Sequence, residues 1–252
     1  MDLQLSGTHV LVTGGTRGIG RAIVEGFLDE GAHVAFCARS TNEVTATEEA
    51  LSARGTVIGT TLDVGDGAAL AAWVEQTAKS FGGLDVVVAN VSALAIPDTE
   101  ENWQTSLNVD LMHTVRLVRA AMPHLERSNA PSIIAVSSVS GRESDFASGP
   151  YGTAKTAIIG YINGLALQLA DKGIRANTVS PGNTYFEGGV WASIETGNPD
   201  LFQTAMALNP SGQMGTPEEV AGPVVFLASP MARRISGTNL VVDGALTRGI
   251  QL

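Results

Sequence analysis

Cysteine is all but absent from this 252-residue chain. The lone Cys37 excludes an internal disulfide and a thiolate metal cluster, and it suits a reducing compartment. Aromatic residues make up only 5% of the chain, so the core must be built from Ala, Val, Leu and Ile within a hydrophobic fraction of 44%. That fraction is ample for a packed interior and excludes intrinsic disorder. Basic side chains are outnumbered, 15 against 25 acidic ones, for a net charge of −10. A surface that binds nucleic acid or an anionic membrane needs the opposite sign, so neither partner is expected. No apolar run approaches the ~18 residues of a spanning helix, and the best late stretch, residues 220–228, is interrupted by Pro223. The start, Met1-Asp2-Leu3-Gln4-Leu5-Ser6, carries an acid where a secretory signal needs a basic and then an apolar region. His9, His33, His113 and His124 have neither i, i+4 spacing nor metal-ligand patterns with Cys or carboxylates, so no metal is expected. A cytoplasmic protein is the resulting expectation.

What the chain does have is glycine and alternation. Apolar runs at residues 10–12, 34–37, 57–62, 84–90, 132–137, 174–179 and 240–242 read as strands, and helical patterns fall at 19–30, 42–54, 67–81, 100–127 and 151–172. Runs apolar on both faces and separated by helices predict a parallel sheet covered on both sides. No linker or repeat interrupts the pattern, so one unit spanning residues 1–252 is expected.

Thr13-Gly14-Gly15-Thr16-Arg17-Gly18-Ile19-Gly20 joins the first strand to the first helix. Glycines there allow a tight turn, close approach of backbone N–H groups to phosphate, and close helix–strand packing; the helix N-terminus favours a pyrophosphate. The second strand ends in Cys37-Ala38-Arg39-Ser40. A site for NAD(H) places an acid at this point to bind the ribose 2′-hydroxyl. Here Arg39, helped by Arg17, offers charge-assisted bonds to a 2′-phosphate, which favours NADP(H) over NAD(H).

Tyr151-Gly152-Thr153-Ala154-Lys155 puts a phenol and an ammonium on one face of a helix that Pro150 can start. A phenol ionises near pH 10 and is a poor base at neutral pH. Bringing it to about pH 7 requires roughly 4 kcal/mol of preferential phenolate stabilisation. An ammonium about 4–5 Å away supplies on the order of 3–4 kcal/mol at an effective dielectric of about 20. Upstream, Ser137-Ser138 closes the fifth strand, at the sheet edge where open α/β folds bind ligands. A serine hydroxyl there can bond a carbonyl oxygen while the tyrosine exchanges its proton.

With Thr13-Gly14-x-x-x-Gly18-x-Gly20, Asp63-Val64, Asn108, Ser138, Tyr151-x-x-x-Lys155, Pro181-Gly182 and Val242-Asp243-Gly244 in this order, residues 6–245 resemble the short-chain dehydrogenase/reductase family. The resemblance, to its carbonyl reductases and 3-oxoacyl carrier-protein reductases, implies a single-domain α/β Rossmann fold. The doubly wound, seven-stranded parallel sheet would run in order 3-2-1-4-5-6-7, in a homotetramer. It implies that Tyr151 is the general acid/base, that Ser138 polarises the carbonyl, and that Lys155 bonds the nicotinamide ribose. Asn108 would support a water-linked proton relay reaching Lys155. Asp63 would contact adenine beside Val64, Asn90 would lie near the ribose, and Pro181, Gly182 and Thr184 would complete the cofactor contacts. Two departures stand out: Ala89-Asn90-Val91-Ser92 replaces the family's Asn-Asn-Ala-Gly, and Phe186 stands where a threonine is usual. Asn90-Val91-Ser92 is also a glycosylation sequon, expected to stay unmodified at the end of a buried strand.

Residues 183–208 occupy the family's substrate lid, with Phe186, Trp191, Leu201 and Phe202 but no lysine or arginine. They point to an apolar or aromatic ketone, and the reaction expected is NADP(H)-dependent interconversion of a ketone and a secondary alcohol. An acidic acyl carrier protein would be repelled unless Arg127, Lys172 and Arg175 form a basic patch. Two other readings stay open: an NAD-dependent alcohol dehydrogenase of the same family, and a cofactor-binding sensor without catalysis. The helix at 151–172 is apolar on more than one side, which predicts a partner subunit.

Overall fold

The strands are short and apolar, and all but the last feed two cores at once. A computed structural model describes residues 2–249, so residue 1 and residues 250–252 of the expected unit lie outside the described residues. Side chains alternate across the sheet. Val10, Val12, Val34, Phe36, Val86 and Val88 face one core, with Ile23, Phe27, Val224 and Val225 of its covering helices. Leu11, Ala35, Cys37, Val87 and Ala89 face the other, where Leu117, Ile158 and Ile162 cover them. Burial on both faces forces a continuous apolar run rather than strict alternation, the pattern expected of parallel strands.

The strands are β1 His9–Thr13, β2 His33–Ala38, β3 Val57–Thr61, β4 Val86–Ala89, β5 Ser132–Val136, β6 Arg175–Pro181 and β7 Asn239–Val242. All pairings are parallel, and the order is β3-β2-β1-β4-β5-β6-β7. This is the doubly wound Rossmann sheet that the resemblance implied. The order reverses between β1 and β4, and the carboxyl ends of strands at such a switch point open a crevice.

The helices are α1 Gly18–Asp29, α2 Thr41–Leu51, α3 Gly67–Phe81, α4 Glu100–Ser106, α5 His113–Leu125, α6 Pro150–Gln168, α7 Val190–Gly197, α8 Pro199–Leu208 and α9 Pro217–Ala228. Side chains cap five of the nine starts: Ser40 for α2, Asp66 for α3, Thr99 for α4, Asn198 for α8, and Thr216 with Glu219 for α9. No helix of the described residues is long and apolar enough to cross a membrane.

The one helix expected over 100–127 is instead three pieces. A π-helical stretch, Leu107–Met112, separates α4 from α5. Widened turns free backbone carbonyls, and two side chains use them. His113 Nδ1 lies 2.6 Å from the Val109 carbonyl and the Thr114 hydroxyl donates to the Asp110 carbonyl at 2.9 Å. Cys37 is inert in this frame, since burial pushes its thiol up to about 12.

Candidate active site

The glycine turn is fixed by bonds to both neighbouring strands. The N–H groups of Gly14 and Gly15 donate to the Cys37 carbonyl at 2.8 and 3.2 Å. From the other side, Asn90 Nδ2 donates to the carbonyls of Thr13 and Gly14 at 3.0 and 3.2 Å, and its N–H donates to the Thr13 hydroxyl at 2.9 Å. Asn90 therefore lines the cleft while its amide clamps the turn, which leaves the sequon's nitrogen engaged. Gly20 crosses so close that an added Cβ would overlap the Gly14 carbonyl oxygen. Unlike α2, α3, α4 and α9, helix α1 has no side-chain cap at its N-terminus. Its first N–H donors are available to an anion.

Arg17 and Arg39 are solvent-exposed on the rim of this cleft. Neither enters an ion pair among the described residues. Thr16, Ile19, Ser40, Asp63 and the buried Val64 line the same cleft. Asp63 Oδ1 accepts the Gly65 N–H at 2.8 Å, which shapes the turn after β3. Sequence reasoning missed Glu43, whose carboxylate accepts the Thr16 hydroxyl at 3.3 Å on this rim. Only its position one turn into α2 could have flagged it.

Ser138, Tyr151 and Lys155 meet the same cleft from β5 and α6. The Ser137 hydroxyl donates to the Lys155 carbonyl at 2.9 Å and fastens the helix to the strand end. Ser138 Oγ accepts the Ser140 N–H at 3.1 Å. Lys155, only 2% exposed, donates to the Val136 carbonyl at 3.1 Å and sits 5.5 Å from the centroid of the Tyr151 ring.

Comparisons agree with this geometry. A family model described as enoyl-(acyl carrier protein) reductase matches residues 14–247. Isoepoxydon dehydrogenase patN of Penicillium expansum is 42% identical, over 98% of this chain and 97% of its own. The 3-oxoacyl-[acyl-carrier-protein] reductase FabG of Vibrio harveyi is 32% identical, over 97% and 99%. The crystal structure of L-sorbose reductase from Gluconobacter frateurii, complexed with NADPH and L-sorbose, superposes with a TM-score of 0.91 at 27% identity, covering 99% of this chain and 100% of that one. The chain is a short-chain dehydrogenase/reductase.

In this oxidoreductase the Asn108 side chain bonds other groups directly: its amide nitrogen faces the Gly65 carbonyl at 3.4 Å and its oxygen accepts from Arg116 at 2.7 Å. The group that reaches the lysine directly is Asp110, fully buried, with Oδ1 3.4 Å from Nζ. The widened turn lies between the two residues' roles, and a helix read as regular from 100 to 127 conceals it. The available signal was an acid amid Leu107, Val109, Leu111 and Met112.

Behind Asp110, His113 joins the site to the glycine turn. A carbonyl can only accept, so Nδ1 carries the proton toward Val109 and Nε2 accepts the Thr13 hydroxyl at 3.1 Å. Burial holds its pKa down, from 6.5 to about 4. The unfolded chain takes up this proton first, so stability falls as pH drops from about 6.5 to about 4, by up to roughly 3 kcal/mol from this group. Denaturant titrations across that window should show a shallower acid slope for His113→Phe. Equal slopes would remove His113 as the cause.

The segment from Asn183 onward begins as an anchored strap. The N–H of Tyr185 donates to the Gly215 carbonyl and that of Gly215 to the Asn183 carbonyl, at 2.9 and 2.8 Å. Thr184 is buried, its hydroxyl on the Gly182 carbonyl at 3.2 Å. Gly182 backs onto Asp243 just after Pro181 ends β6, so a Cβ would come within 2.8 Å of the Asp243 Cβ. Phe186 then lays its ring over Gly18, where a Cβ would come within 2.5 Å of it. Trp191 meets Phe146 edge-on at 5.7 Å from across the cleft. Ser92, the residue substituted for glycine, turns its hydroxyl onto its own loop and accepts the Leu94 N–H at 3.1 Å.

Of Arg127, Lys172 and Arg175, two are engaged away from an acyl-carrier patch. Arg175 is buried and donates to the carbonyls at the end of α9, including Ala228 at 2.9 Å, and Lys172 is paired with Glu126.

Proposed function

We propose that this enzyme interconverts a ketone and a secondary alcohol using NADP(H), with Tyr151 as the general acid/base. The observation that carries the reading is one cleft of about 1180 Å³, lined at once by Gly14, Arg17, Arg39, Ser138, Tyr151 and Lys155. The residues fit the dinucleotide: the uncapped start of α1 suits a pyrophosphate, and the two unpaired guanidiniums suit a 2′-phosphate. Asp63 and Val64 would border adenine, while Pro181, Gly182 and Thr184 would border the nicotinamide. When bound, the cofactor supplies a hydride to the carbonyl carbon. Tyr151 gives its proton to the carbonyl oxygen, Ser138 donates a hydrogen bond to the same oxygen, and Lys155 stabilises the phenolate that remains.

Ile96, Phe146, Phe186, Trp191 and Leu201 surround the rest of the cleft, which favours a substrate with an apolar or aromatic body. The test is NADPH oxidation over a panel of aromatic and alicyclic ketones, L-sorbose and a 3-oxoacyl thioester. NADPH binding without turnover on any carbonyl would mark a sensor and end the catalytic reading.

The 2′-phosphate assignment has its own expected result. Arg39→Ala should weaken NADPH binding by about 10- to 100-fold, the worth of one charge-assisted hydrogen bond, and leave NADH binding nearly unchanged. Quenching of cofactor fluorescence measures both. Equal losses for the two cofactors would remove Arg39 from that role.

The outer face of α6 favours a homo-oligomer, and we infer a tetramer. Leu167 is 83% exposed, and Gly160 and Gly164 meet nothing within 4 Å. Light scattering after size exclusion reads the state directly, and a monomer at micromolar concentration would refute it.

A further inference from the structure

We propose that Asp110 is a positioning residue for Lys155: its buried carboxylate keeps the lysine charged and held against the Tyr151 ring. The proposal rests on the reading of Tyr151 as the proton-exchanging group. Asp110 is 0% exposed on the π-helical stretch and accepts the Ala93 N–H through Oδ2 at 3.2 Å. Its Oδ1 has no hydrogen-bond partner of its own among the described residues and stands 3.4 Å from Lys155 Nζ. The lysine's other polar contact is a neutral one, the Val136 carbonyl at 3.1 Å.

Burial as complete as that of Lys155 is enough to strip an amine of its proton near neutral pH. An opposite charge within ~4 Å is enough to restore it. The carboxylate is the one charged partner that the buried lysine has among the described residues. That ammonium lies 5.5 Å from the Tyr151 ring centroid and favours the phenolate. Charge thus acts from the π-helical stretch through α6 on the reacting phenol, and Asp110 acts on the chemistry without touching substrate.

The groups facing the pair are few. From its own segment comes His113, neutral above about pH 4. Helix α6 presents Lys155 and Tyr151 themselves. The loop after β4 presents the Ala93 N–H, and β5 presents the Val136 carbonyl; neither titrates.

Asp110→Asn preserves size and leaves an acceptor for the Ala93 N–H, but removes the charge. Ultraviolet titration of tyrosinate absorbance, with the same titration of a Tyr151→Phe background subtracted, isolates Tyr151. Its midpoint should rise by roughly two pH units, the effect of losing a unit charge 5.5 Å from the ring at an effective dielectric of about 20. The rising limb of the pH–rate profile for alcohol oxidation should move up with it, so that kcat at pH 7 falls at least about tenfold and recovers at higher pH. Asp110→Ser, also uncharged, supplies the same measurement if the amide variant does not fold. A midpoint that stays or moves down overturns the proposal. Because the titration needs no turnover, the two readings fail separately. A raised midpoint in a protein that reduces no carbonyl leaves Asp110 in its role and sinks the reaction. Turnover with an unmoved midpoint does the reverse.

Discussion

Tyr151→Phe is expected to lower kcat/KM for ketone reduction by roughly 10³- to 10⁴-fold, the upper range for a positioned general acid, with NADPH affinity kept within a few-fold. The substitution removes one oxygen and leaves the ring that packs beside Lys155 at 5.5 Å. Helix α6 should be undisturbed, since it is fastened by Ser137 to the Lys155 carbonyl and by the Thr156 hydroxyl to the Gly141 carbonyl at 2.8 Å. A loss confined to kcat, with binding intact, is what removal of an interaction made in the transition state produces. Ser138→Ala should cost less, because a hydrogen bond to the carbonyl oxygen contributes about 10²–10³ in kcat. Steady-state kinetics with NADPH and the best ketone of the panel measure both, and a Tyr151→Phe enzyme retaining a tenth of its activity would rule the tyrosine out as the acid.

Much of this was legible because the fold writes itself in periodicities. Double-faced burial makes parallel strands such as 86–89 and 132–136 conspicuous, and glycine punctuates the one turn where side chains cannot fit. Arg39 at the end of β2 and Tyr151-x-x-x-Lys155 on one helical face are local patterns, so spacing alone located them. Asp110 was hidden because its partner lies on another helix, 45 residues away in the chain, and because the π-helical turn changes which residues of 107–112 face inward. Phe186 on Gly18, the first residue of α1, and Trp191 of α7 on Phe146 are contacts between segments far apart in the chain, and no short-range rule sets those. The same holds for Arg175. Its charge reads as surface, yet the strand buries it against the carbonyl end of α9, where it satisfies groups that a helix end leaves bare.

Gly20→Ala should abolish useful cofactor binding and lower the melting temperature together. The obstacle to a Cβ is backbone, the Gly14 carbonyl oxygen, with Asn90 Nδ2 at 2.5 Å as the next contact. The carbonyl cannot swing aside as the tip of a flexible side chain could, and the Asn90 amide is held by its two bonds to the turn. The Gly14 carbonyl is itself an acceptor for Asn90, so moving it breaks the clamp that ties β4 to the turn. Overpacking of this kind costs typically 1–3 kcal/mol, which for a domain of this size is roughly 2–10 °C in Tm. The displaced turn would also carry the start of α1 away from the pyrophosphate position, so NADPH affinity should fall at least about tenfold, one lost charge-assisted bond's worth. Gly197→Ala is the control: it lies exposed at the end of α7 with nothing inside 4 Å of an added Cβ, so melting temperature and NADPH affinity should stay near those of the parent. Calorimetry and fluorescence titration of the pair decide the matter. If Gly20→Ala melts and binds like the parent, close packing of α1 on β1 is not what this glycine serves.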